Sequence, residues 1–171
     1  MKIAITGVPT VGKTTLAKKL SRELGYKLVS INDLAEKLKA YSDYDSKRES
    51  KILDMNKLRL AIKGMKGDII LDGHTSHEFD VNLVIVLRCN PEILQKRLKK
   101  KYPRNPFKVR DNVDAELVGV ITHEALKYND KVFEIDTTKM SVKDVVNTAL
   151  DIVKRKRGHE AGKIDWIERE I

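Results

Sequence analysis

Gly7-Val8-Pro9-Thr10-Val11-Gly12-Lys13-Thr14 fills every fixed position of the pattern G-x-x-x-x-G-K-[ST]. This run constrains the fold because its chemistry works only where a strand hands over to a helix. Lys2-Ile3-Ala4-Ile5-Thr6 reads as a short buried strand, and Thr14 to Leu20 continues at helical spacing, so the loop joins the two. Glycines at 7 and 12 let the chain wrap with its amide hydrogens inward. The following helix adds the positive end of its dipole, and together they cradle a polyphosphate. Lys13 is expected at the β- and γ-phosphates, Thr14 at a magnesium ion shared with nucleotide oxygens, and Thr15 at the α-phosphate. Pro9, Thr10 and Gly12 belong to the same cradle. A turn that merely caps a helix is the alternative, and the flanking strand and helix speak against it.

A chain of 171 residues, 41% of them apolar, suits one α/β domain, and no repeat or long linker interrupts it. No apolar run approaches the roughly 20 residues needed to span a bilayer, and the opening residues read as a strand, not a leader. A soluble, cytoplasmic protein is therefore expected. The single cysteine, Cys89, excludes an internal disulfide and reads as a small buried thiol. The charged fraction of 35% resembles that of heat-adapted proteins. A net charge of +9 exceeds what nucleotide phosphates require, so composition leaves two readings open: a polyanionic partner such as RNA, or a generally basic surface.

Strand and helix alternate along the chain. A first helix ends near Gly25, Tyr26 to Ser30 forms a second strand, and Asn32 or Asp33 caps a helix to about Ala40. Residues 41–50 are polar and aperiodic. A further helix runs from about Asp54 to Lys66 and stops at Gly67. Asp68 to Asp72 and Leu83 to Leu87 are too short for helices and too uniformly apolar for one-sided strands, so they read as central parallel strands. Pro91 opens a helix, residues 111–127 form another, Val132 to Asp136 a last strand, and Ser141 caps a final amphipathic helix. The expected fold is a doubly wound, five-stranded parallel sheet, and with the phosphate loop at its first strand it resembles the P-loop nucleoside-monophosphate-kinase-like fold. Its ligand should sit at the carboxyl ends of the strands.

Asp72 closes one of those strands, which makes it the candidate second magnesium anchor. His74, two residues on, is placed to orient a water or the metal-bound network, since neutral imidazole accepts a hydrogen bond near pH 7. His77 and His123 lack that support and read as surface or helix residues. Residues 96–110 carry many cations and no acid, with Pro103 and Pro106 between predicted helices, the layout of a mobile basic lid at about 99–110. Arg97, Lys101 and Arg104 are the expected phosphate contacts, whereas Lys99, Lys100 and Lys108 read as solvated. Residues 31–53 have the length of an acceptor-binding insert, with Arg48 its only arginine. Lys139, after the last strand, is a candidate neighbour of the base. The tail from 157 to 171 holds the single tryptophan, Trp166, which packs either on the domain or on a partner.

Taken together, the phosphate loop at the start of the chain, Asp72-x-His74, Val84 to Arg88 followed by Asn90-Pro91, Arg97-Leu98 before a short lid, and Asp111-Asn112-x-x-x-Glu116 resemble the adenylate kinase isoenzyme six family over about residues 1–155. The resemblance implies a broad-specificity adenylate kinase that uses ATP and Mg²⁺, acts on AMP, hydrolyses ATP, and takes part in late maturation of the small ribosomal subunit and its 16S rRNA. It also implies a platform ribosomal protein as partner, with no membrane, the chain being a monomer or in a transient heterodimer. By matched position, Thr10, Gly12, Lys13, Thr14 and Thr15 would bind phosphates, Asp72 and His74 would support metal and water, and Lys101 would be the lid cation. The chain departs from the family, which commonly has glycine in place of Thr10, arginine in place of Lys101, and an acceptor-helix arginine where Glu36 and Lys37 stand.

Overall fold

The computed structural model describes residues 1–155 and 159–168. Its centre is a sheet of five parallel strands, β1 (Lys2–Thr6), β2 (Lys27–Ser30), β5 (Ile69–Asp72), β6 (Leu83–Arg88) and β7 (Val132–Asp136). They lie in the order β2-β5-β1-β6-β7, and a short antiparallel strand β8 (His159–Glu160) is added beside β7. Every residue of β5 and β6 is buried, as their unbroken apolar runs require of strands covered on both faces.

Alternation along β1 sorts its side chains between two layers. Ile3 and Ile5 pack with α1 (Lys13–Leu24), α4 (Pro91–Lys101) and α7 (Val142–Arg155), while Ala4 faces the layer of α6 (Val120–Tyr128). A further cluster joins Val29, Ile69 and Leu71 to α2 (Ile31–Leu38) and α3 (Met55–Lys63). Register brings Ile5 beside Asp72, Asp72 beside Ser30, and Thr6 beside Val86. The carboxyl ends of four strands thus form one edge, and the sheet order reverses direction on either side of β1 there, which is where such sheets bind ligands.

Several local expectations need correction. Residues 41–50, polar and aperiodic in sequence, are not irregular: β3 (Tyr41–Asp45) and β4 (Ser50–Leu53) pair antiparallel as a separate hairpin. Their side chains are mostly exposed, so no apolar alternation announced them. Helix α2 is capped by the Ser30 side chain, which accepts from the Asp33 amide, so it starts ahead of Asn32 and ends at Leu38. Helix α3 is capped by Asp54 as expected but stops at Lys63, one residue before Gly64. The helix expected over 111–127 is two: α5 (Pro106–Leu117), capped by Asn105, and α6, separated by Gly119 in the left-handed region at φ 66. The basic segment is therefore helix, turn (residues 102–105) and helix, with no free loop between α4 and α5.

Trp166 is buried, so within residues 159–168 the tail packs on its own domain. Residues 157, 158 and 169–171 of the expected tail lie outside the described residues. The anchor is a buried polar cluster in which Arg88 donates from Nε to Glu116 Oε1 (2.7 Å) and from Nη1 to Glu134 Oε1 (2.5 Å). The Trp166 indole donates to the same Glu116 oxygen at 2.9 Å, and the amides of Gly162 and Ile164 donate to Glu134 Oε2. Among the described residues no helix is long and apolar enough to cross a membrane.

Candidate functional site

The loop from Gly7 to Thr14 leaves β1 and enters α1 with three residues at positive φ: Gly7 (136), Thr10 (71) and Gly12 (103). A Cβ at Gly7 would stand 2.5 Å from the Leu87 carbonyl oxygen, so this glycine is required by both conformation and space. A Cβ at Gly12 would meet nothing within 4 Å, so there the demand is on backbone alone. Gly7→Ala is expected to lower stability by on the order of 3 kcal/mol. The readout is a reduced urea midpoint at unchanged slope, with a smaller effect for Gly12→Ala. Thr10 holds a glycine-like φ with a branched side chain, which is unfavourable for its backbone.

Lys13 reaches back and donates to the Val8 carbonyl oxygen at 2.7 Å. Burial, reinforced by the charge of Lys101 and opposed by that of Asp72, draws its pKa down to about 8. The Thr14 hydroxyl donates to Asp72 Oδ2 at 2.7 Å, across 58 residues of chain. This pair fits a hard divalent cation: both donors are oxygen, Thr14 is exposed, and Asp72 is anchored at the end of β5. Among the described residues no group of three or more His, Cys, Asp or Glu side chains is placed to hold a metal, so Mg²⁺ here would complete its shell with phosphate and water.

His74 stands exposed in the turn after β5. Desolvation, together with the positive charges of Lys13, His77 and Lys108, draws its pKa down to about 4, so the ring is neutral at pH 7. His77, expected at the surface or on a helix, lies on a single 3₁₀ turn (Ser76–Glu78) behind His74 and is 1% exposed. Its Nδ1 lies 3.0 Å from the Thr6 hydroxyl. His123 is on α6 as expected, its Nδ1 3.0 Å from the Gly119 carbonyl.

Of the basic residues, Arg97 lines a cleft of about 160 Å³ beside the phosphate loop, together with Thr10, Gly12, Thr15, Thr137 and Met140. Lys101 lies close enough to Lys13 for their charges to interact. Arg104 is exposed on the turn between α4 and α5. Lys108, read from sequence as solvated, is half-buried, sits 4.6 Å from the centre of the Tyr102 ring, and bears on His74. Helical spacing along α5 carries the signal for it, once the helix is known to begin at Pro106. Lys139 is exposed, and the cleft is lined by Thr137 and Met140 on either side of it. Thr137 also ties this loop down: its amide donates to the Arg88 carbonyl at 2.8 Å, and its hydroxyl, with one proton to give, lies within bonding distance of the Val11 (3.1 Å) and Arg88 (2.9 Å) carbonyls.

The hairpin β3–β4 closes on α5. Arg48 forks both ways onto Asp111, from Nε at 2.9 Å and Nη2 at 3.0 Å, and its Nη1 holds Asp45. The Asn105 amide donates to the Lys47 carbonyl and to Glu49. Insert and basic segment are thus latched together. Glu36 accepts from the Tyr41 hydroxyl (2.5 Å) and from Lys51 (3.2 Å).

A family model described as an AAA domain matches residues 3–119, from β1 to the Gly119 break. A protein of Methanocaldococcus jannaschii described as "Putative adenylate kinase" is 41% identical over 172 residues, covering 99% of this chain and 94% of the relative. A protein of Thermococcus kodakarensis with the same description is 41% identical over 171 residues, covering 98% and 94%. Among solved structures, deoxyadenosine kinase from M. mycoides with products dCMP and a flexible dCDP bound is similar at a TM-score of 0.61 and 16% identity, covering 92% of this chain and all of that one. YorR protein from Bacillus subtilis in complex with phosphorylated GDP is similar at 0.59 and 16%, covering 93% and 100%. At 16% identity these two establish a shared fold.

Proposed function

This chain belongs to the AAA-domain family of P-loop proteins, in the same group as those archaeal adenylate-kinase relatives, and on that premise we propose that it moves the γ-phosphoryl of MgATP onto AMP. A nucleotide kinase is what its relatives and its fold support; the acceptor, the hydrolytic side activity and any cellular role are our reading. The observation that carries it is the 2.7 Å Thr14–Asp72 bond beside Lys13, which brings a metal-binding oxygen pair and a phosphate cation to one strand-loop-helix junction.

In this reading the loop amides and the α1 N-terminus bind the β- and γ-phosphates, and Lys13 leaves the Val8 carbonyl for their oxygens. Thr14 and Asp72 would hold Mg²⁺, which when bound screens phosphate charge and orients the chain. Phosphoryl transfer asks the protein mainly for position and cations. Arg97, Lys101 and Lys108 supply the cations from the side of α4 and α5. Lysine at 101 gives a point charge where a forked arginine is common, so Arg97 shares more of this work. The base lies in the cleft by Thr137 and Met140, and the acceptor lies between the β3–β4 hairpin and the His74 turn. Slow ATP hydrolysis follows if water enters the acceptor position, where the neutral His74 ring accepts its hydrogen bond.

His74→Ala is expected to lower phosphate release per bound ATP by about 10²-fold while leaving ATP affinity within a few-fold. Because the imidazole pKa is held near 4, the wild-type hydrolysis rate should persist to pH 5, where an unperturbed histidine would be charged. An affinity loss without a turnover loss would make His74 a structural residue.

A second reading has its own support: the net charge of +9 and the acid-free basic segment 96–110 suit a polyanionic partner. On it, ATP binding and hydrolysis set affinity for a ribosomal protein or rRNA during small-subunit maturation in the cytoplasm, and kinase activity is incidental. Measuring ADP and phosphate made from MgATP, with and without AMP, separates the two. Strong AMP-dependent ADP formation without phosphate release supports the kinase; slow phosphate release indifferent to AMP supports the switch.

A further inference from the structure

Behind the His74 turn lies a buried chain of polar atoms that the phosphoryl-transfer reading does not use. Thr6 closes β1, immediately precedes the phosphate loop, and is fully buried. Its Oγ1 stands 3.0 Å from the His74 carbonyl oxygen and 3.0 Å from His77 Nδ1. A hydroxyl has one proton to donate, and a carbonyl oxygen only accepts. When the Thr6 proton goes to the His74 carbonyl, the remaining contact is satisfied only if His77 brings its own proton on Nδ1 and donates to Thr6. Full satisfaction of the three atoms therefore selects the Nδ1–H tautomer.

The scaffold holding His77 is fixed independently of that contact. The Asn129 side-chain amide donates to the His77 carbonyl at 2.8 Å, and the Ser76 hydroxyl donates to the Ile5 carbonyl at 2.9 Å, so the 3₁₀ turn is pinned to both α6 and β1. The other ring nitrogen, Nε2, is buried and makes no hydrogen bond among the described residues, with Glu124 Oε2 at 3.4 Å. In the Nδ1–H tautomer that nitrogen carries a bare lone pair, so the ring gives up one buried contact while holding Thr6. An unpaired buried nitrogen is unfavourable. Glu124 favours a proton on Nε2 and the Thr6–His74 pair favours one on Nδ1, so the tautomer of the ring reports which contact prevails.

We propose that His77 is a positioning residue for phosphoryl transfer: through the Thr6 hydroxyl it fixes the His74 peptide, and with it the placement of the His74 ring and the Asp72 turn against the phosphate loop. This rests on the role given to His74 above. Atom positions make the test specific. Asparagine places its amide nitrogen where histidine has Nδ1, whereas glutamine reaches only toward Nε2. His77→Asn and Thr6→Ser keep the chain; His77→Gln and Thr6→Val break it.

Steady-state kcat and KM for MgATP are measured for these four variants, for the double variant Thr6→Val with His77→Gln, and for Lys13→Ala. The chain-breaking variants are expected to lower kcat about tenfold with KM nearly unchanged. The chain-keeping variants stay near wild type, and the double variant is no worse than either of its parents, since both remove the same link. Equal effects of His77→Asn and His77→Gln, multiplying effects in the double variant, or a rise in KM alone would overturn the proposal. Ring ¹⁵N shifts of His77 in the wild-type protein test it with no substitution: a protonated Nδ1 is expected, and a protonated Nε2 with bare Nδ1 overturns it. Lys13→Ala keeps the two readings apart. If it retains turnover, phosphoryl transfer at this loop fails; if it is inactive while Thr6→Val keeps wild-type kcat, only the positioning role fails.

Discussion

Lys13→Ala should lower AMP-dependent ADP formation by on the order of 10³-fold or more, because it deletes the one cation built into the phosphate loop itself. The neighbouring cations do not replace it. Lys101 and Lys108 belong to α4 and α5, while Lys13 projects from the first turn of α1. The loss should not be one of folding. With its pKa drawn from 10.5 to about 8, the ammonium is held in a place that disfavours its charge, so removing it from the nucleotide-free protein relieves a cost. Lys13→Met, which keeps the aliphatic stem, is therefore expected to show an unchanged or raised urea midpoint alongside absent turnover. Near-normal turnover in either variant would dissociate the loop from the chemistry.

Arg88→Leu should have the largest effect on stability, about 3–5 kcal/mol. The guanidinium lies 2% exposed between two buried carboxylates, Glu116 and Glu134, and also reaches the Thr122 hydroxyl and the Glu116 main-chain carbonyl. Burial alone pushes the Glu116 carboxyl toward its neutral form, and Arg88 pulls it back. Without the arginine, both acids remain in an apolar interior with no counter-charge. Pairing Arg88→Leu with Glu116→Gln and Glu134→Gln should recover part of the loss, since neutral amides cost less to bury than unpaired charges. Trp166 shares the Glu116 oxygen with Arg88 and is the only tryptophan in the chain, so its fluorescence reports the same event. Arg88→Leu should shift that emission to the red as the tail leaves the cluster. A variant with native emission and native urea midpoint would show that the buried charges are not what hold the tail.

The two sites are joined through β6. Arg88 ends the strand whose preceding residue, Leu87, places its carbonyl against Gly7, and the Arg88 carbonyl is held by Thr137, which also holds Val11 of the loop. Loosening the charge cluster is therefore expected to reach the phosphate loop through backbone contacts, without any change in the residues that touch nucleotide.

The phosphate loop, the apolar strands β5 and β6, and the carboxylate at the end of β5 were determined by sequence alone, because each is written in a few consecutive residues. Gly7 and Gly12 carry their backbone requirement locally, and Ile69 to Leu71 cannot face water on either side. Strand-helix alternation then sufficed for the five parallel strands. What only the tertiary structure decided depends on partners far apart along the chain. Arg48 meets Asp111 across 63 residues, Thr6 meets His77 across 71, and Trp166 meets Glu116 across 50. The β3–β4 hairpin escaped notice because most of its side chains are exposed and its few apolar ones, Tyr44 and Ile52 among them, follow no alternation. His77 looked like a surface residue because one buried histidine has no periodicity, and Lys108 looked solvated until the start of α5 turned it toward Tyr102. Local backbone demands and continuous apolar runs are encoded where they act; a polar contact is encoded only by the fold that brings its two halves together.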